Sequence, residues 1–140
     1  MVLTSETGAA RRLMLALVFL LTACASVAPP VENAVIADRL FCGRAIPGGG
    51  MVSDEDWNAF MREVVTPRFP DGLTIWRAEG QWRGHDGEMV REPVMIIEIL
   101  HPLGGAFDRA IGEIAAEYRR RFRQDAVMRV TMPAWMEFVD

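Results

Sequence analysis

The segment "VREPVMIIEIL", residues 90 to 100, limits the possible folds more than any other. It reads as a strand, and it is apolar on both of its alternating sets: Val94, Ile96 and Leu100 on one, Met95, Ile97 and Ile99 on the other. A strand with one face in water alternates cleanly, whereas a continuous apolar run signals cover on both faces. Whatever sheet holds this strand therefore needs two covers.

The rest of the chain supplies one of them. "VIADRLFCGR" (35 to 44) reads as a first strand. Ser53 is a good N-cap, and Asp56 three residues on completes a capping-box pattern. Trp57, Phe60, Met61, Val64 and Val65 then recur at helical spacing, and Pro67 stops that helix near Thr66. "PDGLTIWRAEGQW" (70 to 82) turns into a second strand, and "RGHDGE" is a hairpin turn around Asp86-Gly87. In the third strand, Pro93 belongs near the start or at a bulge. A second helix carries Phe107, Ala110, Ile111, Ile114, Ala115, Tyr118 and Phe122 on one face. "AVMRVTMPAWMEFV" (126 to 139) is a last strand, interrupted or bent at Pro133.

The order strand, helix, strand, strand, helix, strand predicts an α+β, ferredoxin-like βαββαβ sandwich, an antiparallel sheet with two helices on one face. Two helices cannot cover both faces. The expected second cover is another copy of the chain, making a homodimer through the free face of the sheet.

The N-terminus has a different character. Arg11 and Arg12 precede the apolar run "LMLALVFLL", which leads to "LTAC" at Leu21 to Cys24. A charged start, a short apolar run and small residues before a cysteine make a secretory signal. The run falls short of the roughly 20 apolar residues that span a bilayer. "LTAC" resembles the bacterial lipobox, which implies cleavage after Ala23, a diacylglycerol thioether on Cys24 and acylation of the new amino group. Ala25, rather than an aspartate, after that cysteine implies sorting to the outer membrane. The expected organisation is a signal peptide at 1–23, a lipidated Cys24 with a tether to residue 34, and a single domain at 35–140. Several acyl chains, at about 0.8 kcal/mol per buried methylene, anchor such a domain stably.

Removal of the signal takes away Glu6, Arg11 and Arg12 and moves the formal charge from −4 to −5. Lysine is absent. A mildly acidic domain lacks the electrostatic footprint of a nucleic-acid binder. With Cys24 lipidated, Cys42 has no partner in the chain, so the domain stands on its core. Cys42 is either a small buried hydrophobe or an intermolecular bridge or reactive thiol.

Few residues suggest chemistry. The glycine run in "RAIPGGGMVSDEDW" precedes a helix, as phosphate loops do, but the Gly-Lys-Ser/Thr signature is missing. Asp54, Glu55 and Asp56 already satisfy the positive helix end and repel an anion. The loop is read as a crossover from strand to capped helix, with Arg44 as the nearby counter-charge. Glu98 and His101 match Glu-x-x-His, but on a strand those positions point to opposite faces, so no metal and no cofactor are expected. Cys42 with His101 is a conceivable nucleophile and base on neighbouring strands. "RRRFR" (119 to 123) reads as a solvated helix end paired with Glu113 and Glu117, with headgroup contact beside the anchor allowed.

The hairpin is the most suggestive constellation. A four-residue turn sets Arg83 opposite Glu88 and Gly80 opposite Arg91, and then Trp76, Trp82, Met89, Met95 and Arg91 share a face. Arg91 either shields the aromatics and pairs with Glu79 or Glu92, or anchors a small anionic or aromatic ligand with help from Arg68 and Gln81. A register slip of one residue removes the grouping.

The segments "FCGR", "VSDEDWNAF", "VTPRFPDGLT", "GQW" and "REP" resemble a bacterial family known as domain of unknown function 3574, over most of the chain from about Asp38. The resemblance implies a small exported protein, often a lipoprotein, and carries no assigned activity. Arg68, Gln81, Trp82, Arg91 and Glu92 fall within its motifs and are the candidate ligand-binding residues. The expected function is a non-enzymatic binding or accessory lipoprotein, facing the periplasm from the outer membrane, with a protein or small-molecule partner. The alternative is a small cofactor-independent enzyme, like the dimeric α/β-barrel monooxygenases, acting on an aromatic or anionic compound.

Overall fold

A computed structural model describes residues 31–84 and 87–140. The signal, Cys24, most of the tether, and His85 and Asp86 of the hairpin turn lie outside them. After a 3₁₀ turn at Val31–Asn33, the elements are β1 (Ala34–Gly43), α1 (Asp54–Phe60), β2 (Thr74–Arg83), β3 (Met89–His101), α2 (Gly105–Phe122) and β4 (Met128–Trp135). The four strands form one antiparallel sheet in the order β2-β3-β1-β4. This is an α+β fold compatible with the expected ferredoxin-like sandwich.

The helical stripes read from the sequence are the ones that pack. Ser53 caps α1, its hydroxyl accepting from the Asp56 amide at 3.0 Å. Beyond Phe60 the helix widens into a π-helical turn over Met61–Val65, with the Thr66 amide bonding back to the Met61 carbonyl at 2.9 Å, one residue before Pro67. Trp57, Phe60, Val64 and Val65 join Ile111, Ile114, Tyr118 and Phe122 over the sheet residues Leu40, Cys42, Met95, Ile97 and Ile99. Edge-to-face ring contacts fix the centre, with Phe60–Tyr118 at 5.1 Å and Tyr118–Phe122 at 4.8 Å.

Both strand prolines sit inside unbroken strands, and hydrogen-bond direction explains why. Pro93 is the fifth residue of β3, in register with Glu79. Its carbonyl accepts from the Arg44 amide at 3.0 Å, so its missing N–H points the same way, past the end of β1. The Arg44 carbonyl that such an N–H would have met accepts from Val52 instead, at 2.8 Å. Pro133 does not interrupt β4, which runs unbroken from Met128 to Trp135. It lies on an edge strand, where a proline whose nitrogen faces outward removes no ladder bond.

The glycine run is a tight loop. Gly48, Gly49 and Gly50 have φ of 88°, 114° and 92°, a region closed to most side chains. The loop is held by Ile46 amide to Gly50 carbonyl at 3.0 Å and by a bridge between Ala45 and Met51. Arg44 lies beneath it, donating to the Val52 carbonyl and pairing with Asp54 at 2.8 Å. The local cation is thus committed to the first turn of α1.

Candidate functional site

The hairpin register differs by one residue from the expected one. Arg83 pairs with Met89, Gln81 with Arg91 and Gly80 with Glu92. The turn comprises five residues rather than four, closed by Gly84 amide to Glu88 carbonyl at 2.8 Å and Gly87 amide to Gly84 carbonyl at 3.0 Å. Because the side-chain period is two, this slip sends Arg91 to the opposite face from Trp76 and Trp82. Met89 and Met95 go with Arg91, so the expected five-residue grouping does not form.

The candidate residues accordingly divide into three places. Gln81 and Arg91 share the helix-bearing side of the sheet and bond each other in an exposed part of the hairpin, at 3.0 Å. Arg68 follows α1 and reaches the Val64 carbonyl at 2.7 Å and Glu113 at 3.4 Å, lining a groove between the helices. Trp82 and Glu92 lie on the other, helix-free face of the sheet.

That free face is the most distinctive surface of the domain. The strand registers place Trp76, Trp82, Glu92, Val94, Ile96, Glu98 and Leu100 on it beside Ala37, Arg39, Phe41 and Met128. Val94 and Ile96 are buried, while Trp76, Trp82, Leu100 and Met128 remain 41–56% exposed. Arg39 pairs with Glu98 at 2.7 Å and lies over the Trp76 ring at 5.0 Å. Arg39 thus does for Trp76 what Arg91 was expected to do. Strand alternation in β1 puts positions 35, 37, 39, 41 and 43 on one side, and that was the signal for it.

Glu92 is buried at one corner of this face. Its carboxylate accepts from the Ala45 amide at 2.7 Å and fills the space above Gly43. Burial raises its pKa despite that bond. Gly80, its cross-strand neighbour, makes room for Val94, whose Cγ2 would lie 2.7 Å from a Cβ there.

A second polar cluster had no sequence signal beyond its separate residues. Asp38 is fully buried, and its carboxylate accepts from Arg129 Nε and Nη2 (both 2.7 Å), Thr131 Oγ1 (2.5 Å) and His101 Nε2 (2.9 Å). Burial pushes this carboxyl upward, but the bonds from Arg129, His101 and Thr131 outweigh it and hold it down at about 2. The other His101 nitrogen meets the Pro102 carbonyl at 2.8 Å. Both ring nitrogens thus lie against oxygens of the domain itself, and neither is presented to a ligand. The cluster pins β1, β3 and β4 together, and Arg129 extends it to Asp108 of α2 at 2.7 Å.

The pairing of Cys42 with His101 is not formed. Cys42 is opposite Met95 and His101 opposite Ile36, six positions apart along the sheet, or about 20 Å. Burial also raises the Cys42 thiol well above its ordinary value. Tyr118, raised by burial and by Cys42 beside it, donates its hydroxyl to the Gly43 carbonyl at 2.9 Å. The arginine run at the end of α2 is engaged in surface pairs, Arg120 with Glu117 at 2.6 Å and Arg121 with Glu63 at 2.9 Å. It sits at the far end of β1 from Ala34, where Gln124 just beyond α2 donates to the Ala45 carbonyl at 2.7 Å.

The family described as "Protein of unknown function (DUF3574)" matches residues 37–138. The chain belongs to this family. The segments "FCGR", "GQW" and "REP", on which the resemblance rests, meet at the Gly43–Gly80–Glu92 corner. No curated protein matches the chain. Among solved structures it is similar to a phage SAM lyase in complex with S-methyl-5'-thioadenosine (TM-score 0.57) and to a phage SAM lyase in the apo state (TM-score 0.56). Each is 16% identical and is matched over 82% of this chain and 100% of its own. At that identity the likeness concerns the fold alone.

Proposed function

We propose that this protein is a lipid-anchored, non-enzymatic binding domain with a ferredoxin-like frame, exported and held at the periplasmic side of the outer membrane through Cys24. Its working surface is the free face of the sheet, and the first occupant of that face is a second copy of the chain.

One observation carries this reading: a filled core beside an exposed apolar and aromatic face. Trp76, Trp82, Leu100 and Met128 stand out from it in the single chain. Strands of eight to thirteen residues on a four-stranded sheet present a face on the order of 30 by 20 Å, of the order needed for a standard interface of about 800 Å² per partner. Its Arg39–Glu98 pair is internally neutralised, so that pair sets up no like-charge repulsion between two copies in an isologous contact. The enzymatic alternative has less support. Gln81 and Arg91 satisfy each other in the open, and both nitrogens of His101 are taken.

The test is photo-crosslinking in intact envelopes, with a photoreactive amino acid in place of Leu100. A self-crosslinked dimer, or one discrete envelope protein, supports the reading. Absence of any crosslink at Leu100, with a positive control elsewhere in the same protein, sinks it.

A further inference from the structure

The free face does not account for all of the exposed apolar surface. Leu103, Trp135, Met136, Phe138 and Val139 are 67%, 54%, 38%, 86% and 89% exposed. Topology brings them to one end of the domain. Ala34 at the start of β1 pairs with Trp135 at the end of β4, and the Met136 amide donates to the Asn33 carbonyl at 3.0 Å. Ile36 pairs with His101 at the end of β3, and Leu103 follows two residues later. The tether enters the domain at this same end. Only six residues lie between Cys24 and Val31, seven Cα–Cα steps with a reach of at most roughly 25 Å.

We propose that this apolar tip is a second membrane contact, resting in the interfacial layer of the bilayer that holds the anchor. The inference rests on lipidation of Cys24. Its chemistry favours a zwitterionic surface, because Glu32, Glu137 and Asp140 are interspersed with the apolar residues along the two segments that meet at this end, and no basic residue lies within 134–140. Anionic headgroups are therefore repelled rather than sought. Trp135 is suited to such a layer, where an amphipathic indole sits at headgroup depth. A short tether also raises the effective concentration of the tip at the surface, so a contact too weak to hold a free domain suffices here. With the tip down, the strands stand away from the membrane and the free face of the sheet is presented sideways.

The experiment uses the full-length processed protein, purified from envelopes and checked by mass for the lipid on Cys24. It carries Trp76→Phe and Trp82→Phe, so Trp135 and the buried Trp57 report. The protein is reconstituted in phosphatidylethanolamine–phosphatidylcholine vesicles with or without bromine on the phosphatidylcholine chains. The expected result is loss of Trp135 emission in the brominated vesicles, unaffected by salt and reduced by Phe138→Asp. Full emission with Cys24 shown to be lipidated overturns the tip contact and leaves the anchor standing. Full emission with a concentration-dependent blue shift also overturns it and assigns the tip to contact between copies. An unmodified Cys24 overturns the anchor, and the tip contact with it.

Discussion

The carboxylate of Glu92 occupies the space that a side chain at Gly43 would need: a Cβ there would lie 2.1 Å from Oε1 and 2.8 Å from Cδ. The two residues stand on adjacent strands, and Gly43 is next to the Ala45 segment whose amide Glu92 binds. Gly43→Ala must therefore displace a buried carboxylate and break its bond to Ala45. The expected cost is on the order of 2 kcal/mol, measured by urea denaturation. Glu92→Ala removes the clash, so Gly43→Ala in that background should cost far less. Additive costs in the double-mutant cycle would show that the two residues are not coupled.

Ionised Glu92 also works against stability. Its folded pKa is raised by burial, so the folded state prefers the neutral acid. The penalty is absent below the unfolded value of about 4.5 and accrues as pH rises through the raised folded one. Glu92→Gln keeps an acceptor for Ala45 without the charge. The variant should be more stable than the parent at pH 8, and the difference should close by pH 4. Equal stabilities across that range would count against a buried, charge-averse Glu92.

Asp38 has the opposite sign. Its carboxyl is held at about 2 against an ordinary 3.8, so its contribution is complete above the ordinary value and is lost as pH falls through the folded one. The amount is about 2 kcal/mol. Asp38→Asn should flatten the acid limb of the stability–pH curve. At neutral pH it should cost on the order of 3 kcal/mol, because the Arg129 guanidinium loses its counter-charge. Circular dichroism melts from pH 2 to 7 give both numbers.

These sites show where the sequence was legible. The stripe Trp57–Val65 and the face Ile111–Phe122 are periodic over several turns, and both pack as read. The apolar run at 94–100 reads as a strand needing cover on both faces; on the helix-free face Val94 and Ile96 are already buried in the single chain, while Leu100 is not. The hairpin failed on one residue of turn length, which moved Arg91 across the sheet. Periodicity fixes which residues alternate, but the loop decides which alternate set faces which way. The Asp38 cluster draws on β1, β3 and β4, residues 38, 101, 129 and 131, and no local pattern links positions that far apart.

Cys42 gives a kinetic readout of the core. The thiol is fully buried beneath the helices and its pKa is raised, so it is a poor nucleophile in the folded protein. Under the proposed thioether at Cys24, it is the one thiol of the processed chain. Its alkylation should follow global opening and speed up in urea in proportion to the unfolded fraction. Rapid labelling under native conditions would mean that the β1 end of the core opens locally.

The free face separates folding from association. Leu100 and Met128 are 44% and 56% exposed in the single chain, so charging them removes little that the fold depends on. Surface substitutions of this kind usually change stability by no more than about 0.5 kcal/mol. Within an isologous contact each is present twice, and a buried unpaired charge there costs several times more. Leu100→Arg and Met128→Glu should therefore leave the melting temperature of dilute protein nearly unchanged and shift the sedimentation profile from dimer to monomer. Combining the two should restore part of the dimer only if the two positions face each other across the interface, which would also fix the relative orientation of the copies. A parent protein that sediments as a monomer at every concentration would end the dimer proposal outright.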